Sequence, residues 1–254
     1  VGDNRLTLDN YLNTLTIANI NSITGGSVSD VLTVTSDMTG GYFSLGSGSD
    51  SLTFNGGVTA TMTAVETITS AAADDAITLT ANYVGAELNL GGGTDYVTFA
   101  GAGTATIAGV EQIVGGSGIN KIVLSGTVGA NVDLGTGDDS ITFGQGLDTV
   151  YGNGGADQFI FTNANQSPST SVDIISDFTH GTDTLVFSGL LSGSFRYLGS
   201  TTTFTSSDTN SEAYFDTTTH KLYVDTNGDD TADIVVNLKG IAATDLTSGD
   251  FSWS

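Results

Sequence analysis

The chain has 254 residues, 28 of them Asp or Glu against 5 Lys and Arg, for a formal net charge of −23, with 35 glycines, one proline and no cysteine. This composition excludes a disulfide framework and any Cys-ligated zinc or iron centre. With no Lys or Arg between Arg5 and Lys121, the first half would repel nucleic acid and an anionic membrane surface alike, so the natural ionic partner is a cation. No stretch approaches the roughly 18 apolar residues of a transmembrane helix, and Val1-Gly2-Asp3-Asn4 is no secretory n-region. Leu, Ile, Val and Phe recur at even spacing, the pattern of a folded core rather than of disorder.

In chain order, the first element is Asn4-Arg5-Leu6-Thr7-Leu8, which falls where Asp50-Ser51-Leu52-Thr53-Phe54 falls one repeat later. The chain therefore enters in mid-repeat without a cap, and because terminal repeats of a solenoid need capping, the expectation is that it is the C-terminal part of something longer. The repeat is about 45 residues. Val65-Glu66-Thr67-Ile68 recurs as Val110-Glu111-Gln112-Ile113, and Leu45-Gly-Ser-Gly-Ser-Asp50-Ser-Leu-Thr-Phe54 as Leu90-Gly-Gly-Gly-Thr-Asp95-Tyr-Val-Thr-Phe99 and Leu134-Gly-Thr-Gly-Asp-Asp139-Ser-Ile-Thr-Phe143. Asp30, Asp50, Asp75, Asp95, Asn120, Asp139 and Asp157 mark the chain every 18 to 25 residues, each after a Gly/Ser/Ala-rich loop and before an alternating apolar segment. Alternation such as Leu52/Phe54, Ile77/Leu79 and Val97/Phe99 predicts short strands with one buried face, and one marker per coil predicts an all-β parallel β-roll or β-helix solenoid with coils of about 20 and 25 residues. Glu66 and Glu111, recurring in register, read as a structural position of the repeat.

From residue 134 the spacing tightens to nine: Leu134-Gly-Thr-Gly-Asp-Asp139-Ser-Ile-Thr142, Phe143-Gly-Gln-Gly-Leu-Asp148-Thr-Val-Tyr151 and Gly152-Asn-Gly-Gly-Ala-Asp157-Gln-Phe-Ile160. Glycines permit positive φ and bring carbonyls close together, and an Asp at fixed offset adds a carboxylate, the all-oxygen shell that calcium takes. Magnesium, which keeps its waters and demands octahedral geometry, fits less well. Isolated Asp-Gly turns with solvated carboxylates would explain any single loop. Three in phase would form a carboxylate ladder roughly 5 Å apart that repels itself without cations, which predicts metal binding coupled to folding. Two nonapeptides per coil place Asp139 and Asp157 on one edge and Asp148 on the other.

These nonapeptides resemble the calcium-binding repeat of RTX proteins. The resemblance implies Ca2+ as the cofactor, held by carbonyls and the Asp of successive loops. Carried onto this sequence, the candidate ligands are Gly26 with Asp30, Gly46 and Gly48 with Asp50, Asp75, Gly91 and Gly93 with Asp95, Asn120, Gly135 and Gly137 with Asp139, Gly144 and Gly146 with Asp148, and Gly152 and Gly154 with Asp157. It pairs the Asp139 loop with the Asp157 loop, the Asp50 loop with the Asp75 loop, and the Asp95 loop with the Asn120 loop. The Asp75 loop, Ser70-Ala-Ala-Ala-Asp74, departs from the pattern in having no glycine, and Asn120 supplies only a neutral oxygen.

The polar stretch 162–171, with Pro168, reads as a boundary between a solenoid at 1–161 and a β-rich cap at 162–254. Val172-Asp-Ile-Ile-Ser-Asp177-Phe-Thr-His-Gly181-Thr-Asp183-Thr-Leu-Val-Phe187, and the remainder to Trp253-Ser254, resemble the region that follows the nonapeptides in serralysin-like proteases. That implies an uncleaved signal for a type I exporter of a Gram-negative cell. Asp225-x-Asn227-x-Asp229 matches the start of an EF-hand loop, but Asp230 stands at the glycine position and Val236 at the bidentate Glu; a turn between strands 221–225 and 232–238 explains it as well.

Catalysis finds little support. His180 and His220 have no second His four residues away, no Gly-x-Ser-x-Gly elbow occurs before a helix, and both histidines read as exposed turn residues. The acid pairs Asp74-Asp75 and Asp138-Asp139 lie in turns rather than facing each other across a cleft, and Trp253 reads as a terminal packing anchor. The 45-residue blocks resemble repetitive portions of Caulobacter-type S-layer proteins. The expectation is a non-catalytic, secreted, self-associating surface protein that stays unfolded in the calcium-poor cytosol and folds outside. The rivals are the secretion module of an enzyme (protease, lipase or epimerase) and an adhesin or ice-binding solenoid, for which Thr59-x-Thr61-x-Thr63 and Thr104-x-Thr106 would form exposed rows.

Overall fold

Apolar side chains at every second position force short extended segments to bury one face. The computed structural model, which describes residues 4–80, 82–205, 209–241 and 246–253, winds these segments into a parallel β-solenoid. Among the described residues the only helical elements are two single 3-10 turns, Ala164–Gln166 and Ser248–Asp250. The chain divides into two compact units, Val1–Ile122 and Val123–Ser254.

In the first unit, Arg5–Thr7, Ser22–Thr24, Met38–Ser44, Val58–Thr63, Ala76–Leu79, Tyr96–Phe99 and Gln112–Val114 stack in parallel as one sheet. Thr14–Ile17, Val31–Val34, Ser51–Phe54, Thr67–Ser70, Tyr83–Asn89 and Gly103–Ala108 form the other. Each coil sets like upon like. Leu32, Leu52, Ile68, Leu88 and Ile107 share one register row, and Ile23, Phe43, Met62, Leu79 and Phe99 another, all buried. Each such side chain contributes about 1.5–3 kcal/mol of burial.

In the first unit the coils are 16 to 20 residues long against the expected 20 and 25. Between Asp50 and Asp75 lie two unmarked strands, Val58–Thr63 and Thr67–Ser70, each a rung of its own. Residues 45–89 therefore hold five strands, two and a half coils. An odd number of strands makes successive copies change sheet: Ser51–Phe54 lies in the second sheet, while its repeat partner Tyr96–Phe99 lies in the first. The outward threonines Thr59, Thr61 and Thr63 do face away from the core.

In the second unit, Asn131–Asp133, Thr149–Tyr151 and Asp173–Ile175 run parallel, and Ile234–Leu238 joins them. Lys221–Asp225 and Ser211–Asp216 then pair antiparallel, and Phe195–Tyr197 closes that sheet. The facing sheet is Ser140–Thr142, Gln158–Phe161, Thr184–Phe187 and Phe251–Trp253. Its inner row is an aromatic stack, Phe143, Phe161, Phe187 and Trp253, with successive centroids 4.5, 5.5 and 4.9 Å apart, so Trp253 does anchor the end of the core. Between the solenoid strands and the hairpin, buried Gln166 accepts the N–H of Thr162 and Asn163 and donates to the carbonyl of Phe143.

Candidate cation-binding edges

The marker residues stand where the chain turns into a strand, and there they stack. On one edge of the first unit, the N–H of Asn13 donates to Asp30 Oδ1 (3.1 Å), that of Asp30 to Asp50 Oδ1 (2.7 Å), and that of Asp50 to Glu66 Oε2 (2.7 Å). On the opposite edge, Val58 N–H donates to Asp75 Oδ1 (2.7 Å), Asp75 N–H to Asp95 Oδ1 (2.8 Å), and Asp95 N–H to Glu111 Oε2 (2.8 Å). Each carboxylate thus spends one oxygen on the rung before it.

The loops pair differently from the expectation. The Asp50 loop lies on the Asp30 loop, with Ser47 N–H donating to Gly26 O (3.1 Å), and the Asp95 loop lies on the Asp75 loop, with Gly92 N–H donating to Ala71 O (3.2 Å). Asp50 does not face Asp75, and Asp95 does not face Asn120, because three strands, one and a half coils, separate the members of each pair and set them on opposite edges. The Asn120 loop instead lies against residues 101–103, Gly103 N–H donating to Ile119 O (3.2 Å). In the second unit the nonapeptides fall as expected. Asp139 N–H donates to Asp157 Oδ1 (2.9 Å) on one edge, while Ala130 N–H donates to Asp148 Oδ1 (2.8 Å) on the other.

The second carboxylate oxygen is the feature that calls for a ligand. Oδ2 of Asp30, Asp50, Asp75, Asp95, Asp157 and Asp173 is buried without a hydrogen-bond partner, in residues at most 2 % exposed. Burying an ionised oxygen without a partner is costly. These oxygens turn back over their own loops: a Cβ on Gly152 would stand 2.4 Å from Asp157 Oδ2, and one on Gly25 would stand 2.9 Å from Asp30 Oδ2. Carbonyls crowd the same places. At Gly46 (φ +99) a Cβ would lie 2.0 Å from Gly26 O, and at Gly91 (φ +83) 2.1 Å from Ala71 O, so only glycine permits both the turn and the approach. The Asp75 loop, lacking glycine, still offers Ala71 O and Ala73 O to Gly91 and Gly93.

Gly144 and Gly146 lie over residues 124–129, where a Cβ on Gly146 would meet Val128 O at 2.4 Å. Gly135, Gly137 and Gly154 are knit together by Gly137 N–H donating to Gly154 O (2.8 Å). Among the described residues no three His, Asp or Glu side chains converge as a metal-ligating group. The donor set is therefore carboxylate plus backbone carbonyl, all oxygen, the chemistry that suits calcium rather than zinc.

In three of the ladder acids burial drives the carboxyl upward in pKa, partly offset by the N–H it accepts and reinforced by neighbouring charges. Asp95 reaches about 6, Asp157 about 7 and Asp173 about 8. Asp50, Asp148 and Asp183 are raised for the same first cause.

Sequence reasoning missed three acids that extend the second-unit ladders. Asp173 Oδ1 takes Asp148 N–H (2.8 Å), Asp183 Oδ1 takes Asp157 N–H (3.0 Å), and Asp177 takes the N–H of Gly152 and Asn153 (2.8 Å each). The signal was present. Asp173 opens and Asp183 precedes an apolar strand, as the other markers do, but the loop before Asp173 has no glycine and the one before Asp183 only Gly181.

The remaining candidates resolve into structure. Asp225 is buried, with Oδ1 accepting the N–H of Asn227 and Gly228 and Oδ2 that of Asp230, so its lone pairs hold the loop of a β-hairpin. Asp74 and Asp138 each cap the next loop, accepting from Thr94 N–H (2.8 Å) and Ala156 N–H (2.9 Å). His220 sits exposed at positive φ in a hairpin turn. His180 is exposed too, yet its Nδ1 meets buried Asp250 at 2.9 Å.

Residues 88–251 match the family model described as peptidase M10 serralysin C terminal. No curated protein matches the chain. The match covers more than half of the 254 residues, and the chain belongs to that family.

Proposed function

We propose that this member of the serralysin C-terminal family is a calcium-loaded, non-catalytic region of a secreted bacterial surface protein of S-layer type, which folds and self-associates on meeting extracellular calcium. The observation that carries the reading is the buried, unpartnered Oδ2 that recurs beside a carbonyl cradle along both edges of the solenoid. Gly26, Gly46, Gly48, Gly91, Gly93, Gly135, Gly137, Gly144, Gly146, Gly152 and Gly154 would supply carbonyl oxygens, and the ladder aspartates with Asn120 the side-chain oxygens. Calcium would supply the positive charge that lets a −23 chain close into coils. In a calcium-poor cytosol the same carboxylates keep the chain extended, the state a type I exporter takes. The charge distribution supports assembly after export. In the first unit the outward positions of the strands from Arg5–Thr7 to Gln112–Val114 carry a single acid, Glu87, so repulsion is concentrated on edges that cations would neutralise.

A second reading, the secretion module of an enzyme, draws support from the family match itself. Circular dichroism with light scattering during a calcium titration of chelator-treated protein separates the two. Cooperative β-structure followed by ordered growth of scattering is expected for a surface lattice. Folding without assembly favours the module, and indifference to calcium refutes both.

A further inference from the structure

Asp30, Asp50 and Glu66 stand on one edge of the first unit, and Asp75, Asp95 and Glu111 on the other. Each trio is bounded by uncharged residues at the same register position, Asn13 preceding Asp30. Ala86 follows Glu66, and Val58 and Met38 precede Asp75. Within a trio the two aspartates differ from the glutamate. Asp30, Asp50, Asp75 and Asp95 each bury an Oδ2 without a partner, whereas neither Glu66 nor Glu111 buries such an oxygen. The coil from Asp30 to Asp50, or from Asp75 to Asp95, is 20 residues long, while the coil from Asp50 to Glu66, or from Asp95 to Glu111, is 16. The shortened loops turn at Ala64 (φ 49) and Gly109 (φ 62) and lack the Gly-x-Gly pair of the longer ones, Gly109 alone approaching a carbonyl, that of Gly91.

We propose that Glu66 and Glu111 are positioning residues that each end a cation column, so that the first unit holds two independent calcium stations, one per edge, instead of a continuous ladder. Their extra methylene reaches across the shorter loop to hold Asp50 N–H and Asp95 N–H, the bond that the next aspartate makes elsewhere, and so fixes the loop whose aspartate faces the ion. The five-strand repeat then restarts the column on the opposite edge. The inference rests on the calcium reading above.

The test is native mass spectrometry and calorimetry of the calcium-saturated full chain. Asn substitutions keep the Oδ1 acceptor for the rung below and so keep the coils bonded. D30N/D50N is expected to remove one ion and D75N/D95N another, each leaving the affinity of the remaining station unchanged within about twofold, as for separated sites. E66A is expected to weaken only its own edge, by about 10-fold or more, as loss of an outer-shell partner does. E66Q, whose amide oxygen still accepts Asp50 N–H, is expected to bind as the unaltered protein does. Loss of both stations from one double substitution overturns the inference, as does E66Q binding as weakly as E66A. If the unaltered protein takes up no calcium, the calcium reading itself fails, a result distinct from either of these.

Discussion

On the calcium reading proposed above, the ion and protons compete for the same oxygens, and the geometry sets the sign of that competition. Asp173, Asp157 and Asp95 have carboxyls raised by burial to about 8, about 7 and about 6 from 3.8. Between pH 4 and 8 the cation-free folded state therefore binds more protons than the unfolded chain, and its stability falls as pH rises across that window. A displacement of one pH unit in a titration is worth about 1.4 kcal/mol. Because the edge loops border solvent, screening reduces the full displacement to an expected ~2 kcal/mol per carboxyl. Three such groups amount to ~6 kcal/mol over the whole window, most of it above pH 5, and at about 2–4 °C per kcal/mol for a domain of this size cation-free protein should melt roughly 10–20 °C lower at pH 8 than at pH 5, or show no folded transition at pH 8. Millimolar calcium is expected to reverse the slope, because an ion bound to the deprotonated forms would be displaced by acid. Thermal melts followed by circular dichroism on metal-stripped protein, with and without calcium at the two pH values, read this directly. Cation-free protein that melts higher at pH 8 than at pH 5 would refute the assignment of the unpartnered oxygens as the source of the charge problem.

Other perturbations separate the ladder from the core. Gly155→Ala puts a Cβ 1.7 Å from Gly137 O at φ +141, a strain of about 1–3 kcal/mol before any backbone shift. Calorimetry should show weakened calcium binding at the Asp139 and Asp157 loops together with a lower melting temperature. Phe161→Ala removes the middle of the aromatic stack, fully buried between rings at 4.5 and 5.5 Å. It is expected to cost about 3–5 kcal/mol in chemical denaturation at saturating calcium while leaving the ion count intact. Asp225→Ala strips acceptors from three hairpin amides. About 2–4 kcal/mol of stability should be lost with no ion lost in native mass spectrometry; a missing ion would restore the EF-hand-like reading.

Much of the architecture was legible because the physics that builds a solenoid is local. Alternation at Leu52/Phe54 or Val97/Phe99 reports a half-buried strand wherever it occurs, and Gly-rich loops ending in Asp report the turn before it. The strands that escaped notice, Val58–Thr63 and Thr67–Ser70, alternate as well, but the first follows Asn55-Gly56-Gly57 without an Asp marker, and the second follows a three-residue turn at Ala64 that holds neither Gly nor Asp. Missing them made the coils look too long and put Asp50 opposite Asp75. The nonapeptides escaped this error because nine residues make one strand and one loop, so every strand in that stretch carries its own mark.

The parity of the repeat also decides where charge goes. With an even number of strands per block, every copy of Leu-Gly-x-Gly-x-Asp in the first unit would fall on one edge, and Asp50 and Asp95 would belong to a single file of carboxylates. Five strands place Asp50 on one edge and Asp95 on the other. Glu66 and Glu111 complete each file after two aspartates, where a third glycine loop would otherwise be needed. Coulomb repulsion between neighbouring rungs falls off with each added spacing, so dividing six acids into two trios on opposite edges lowers the repulsion that must be offset before the first cation binds. In the first unit the outward strand positions from Arg5–Thr7 to Gln112–Val114 hold only Arg5 and Glu87 as charged residues, so on the calcium reading it is the edges that respond to the ion.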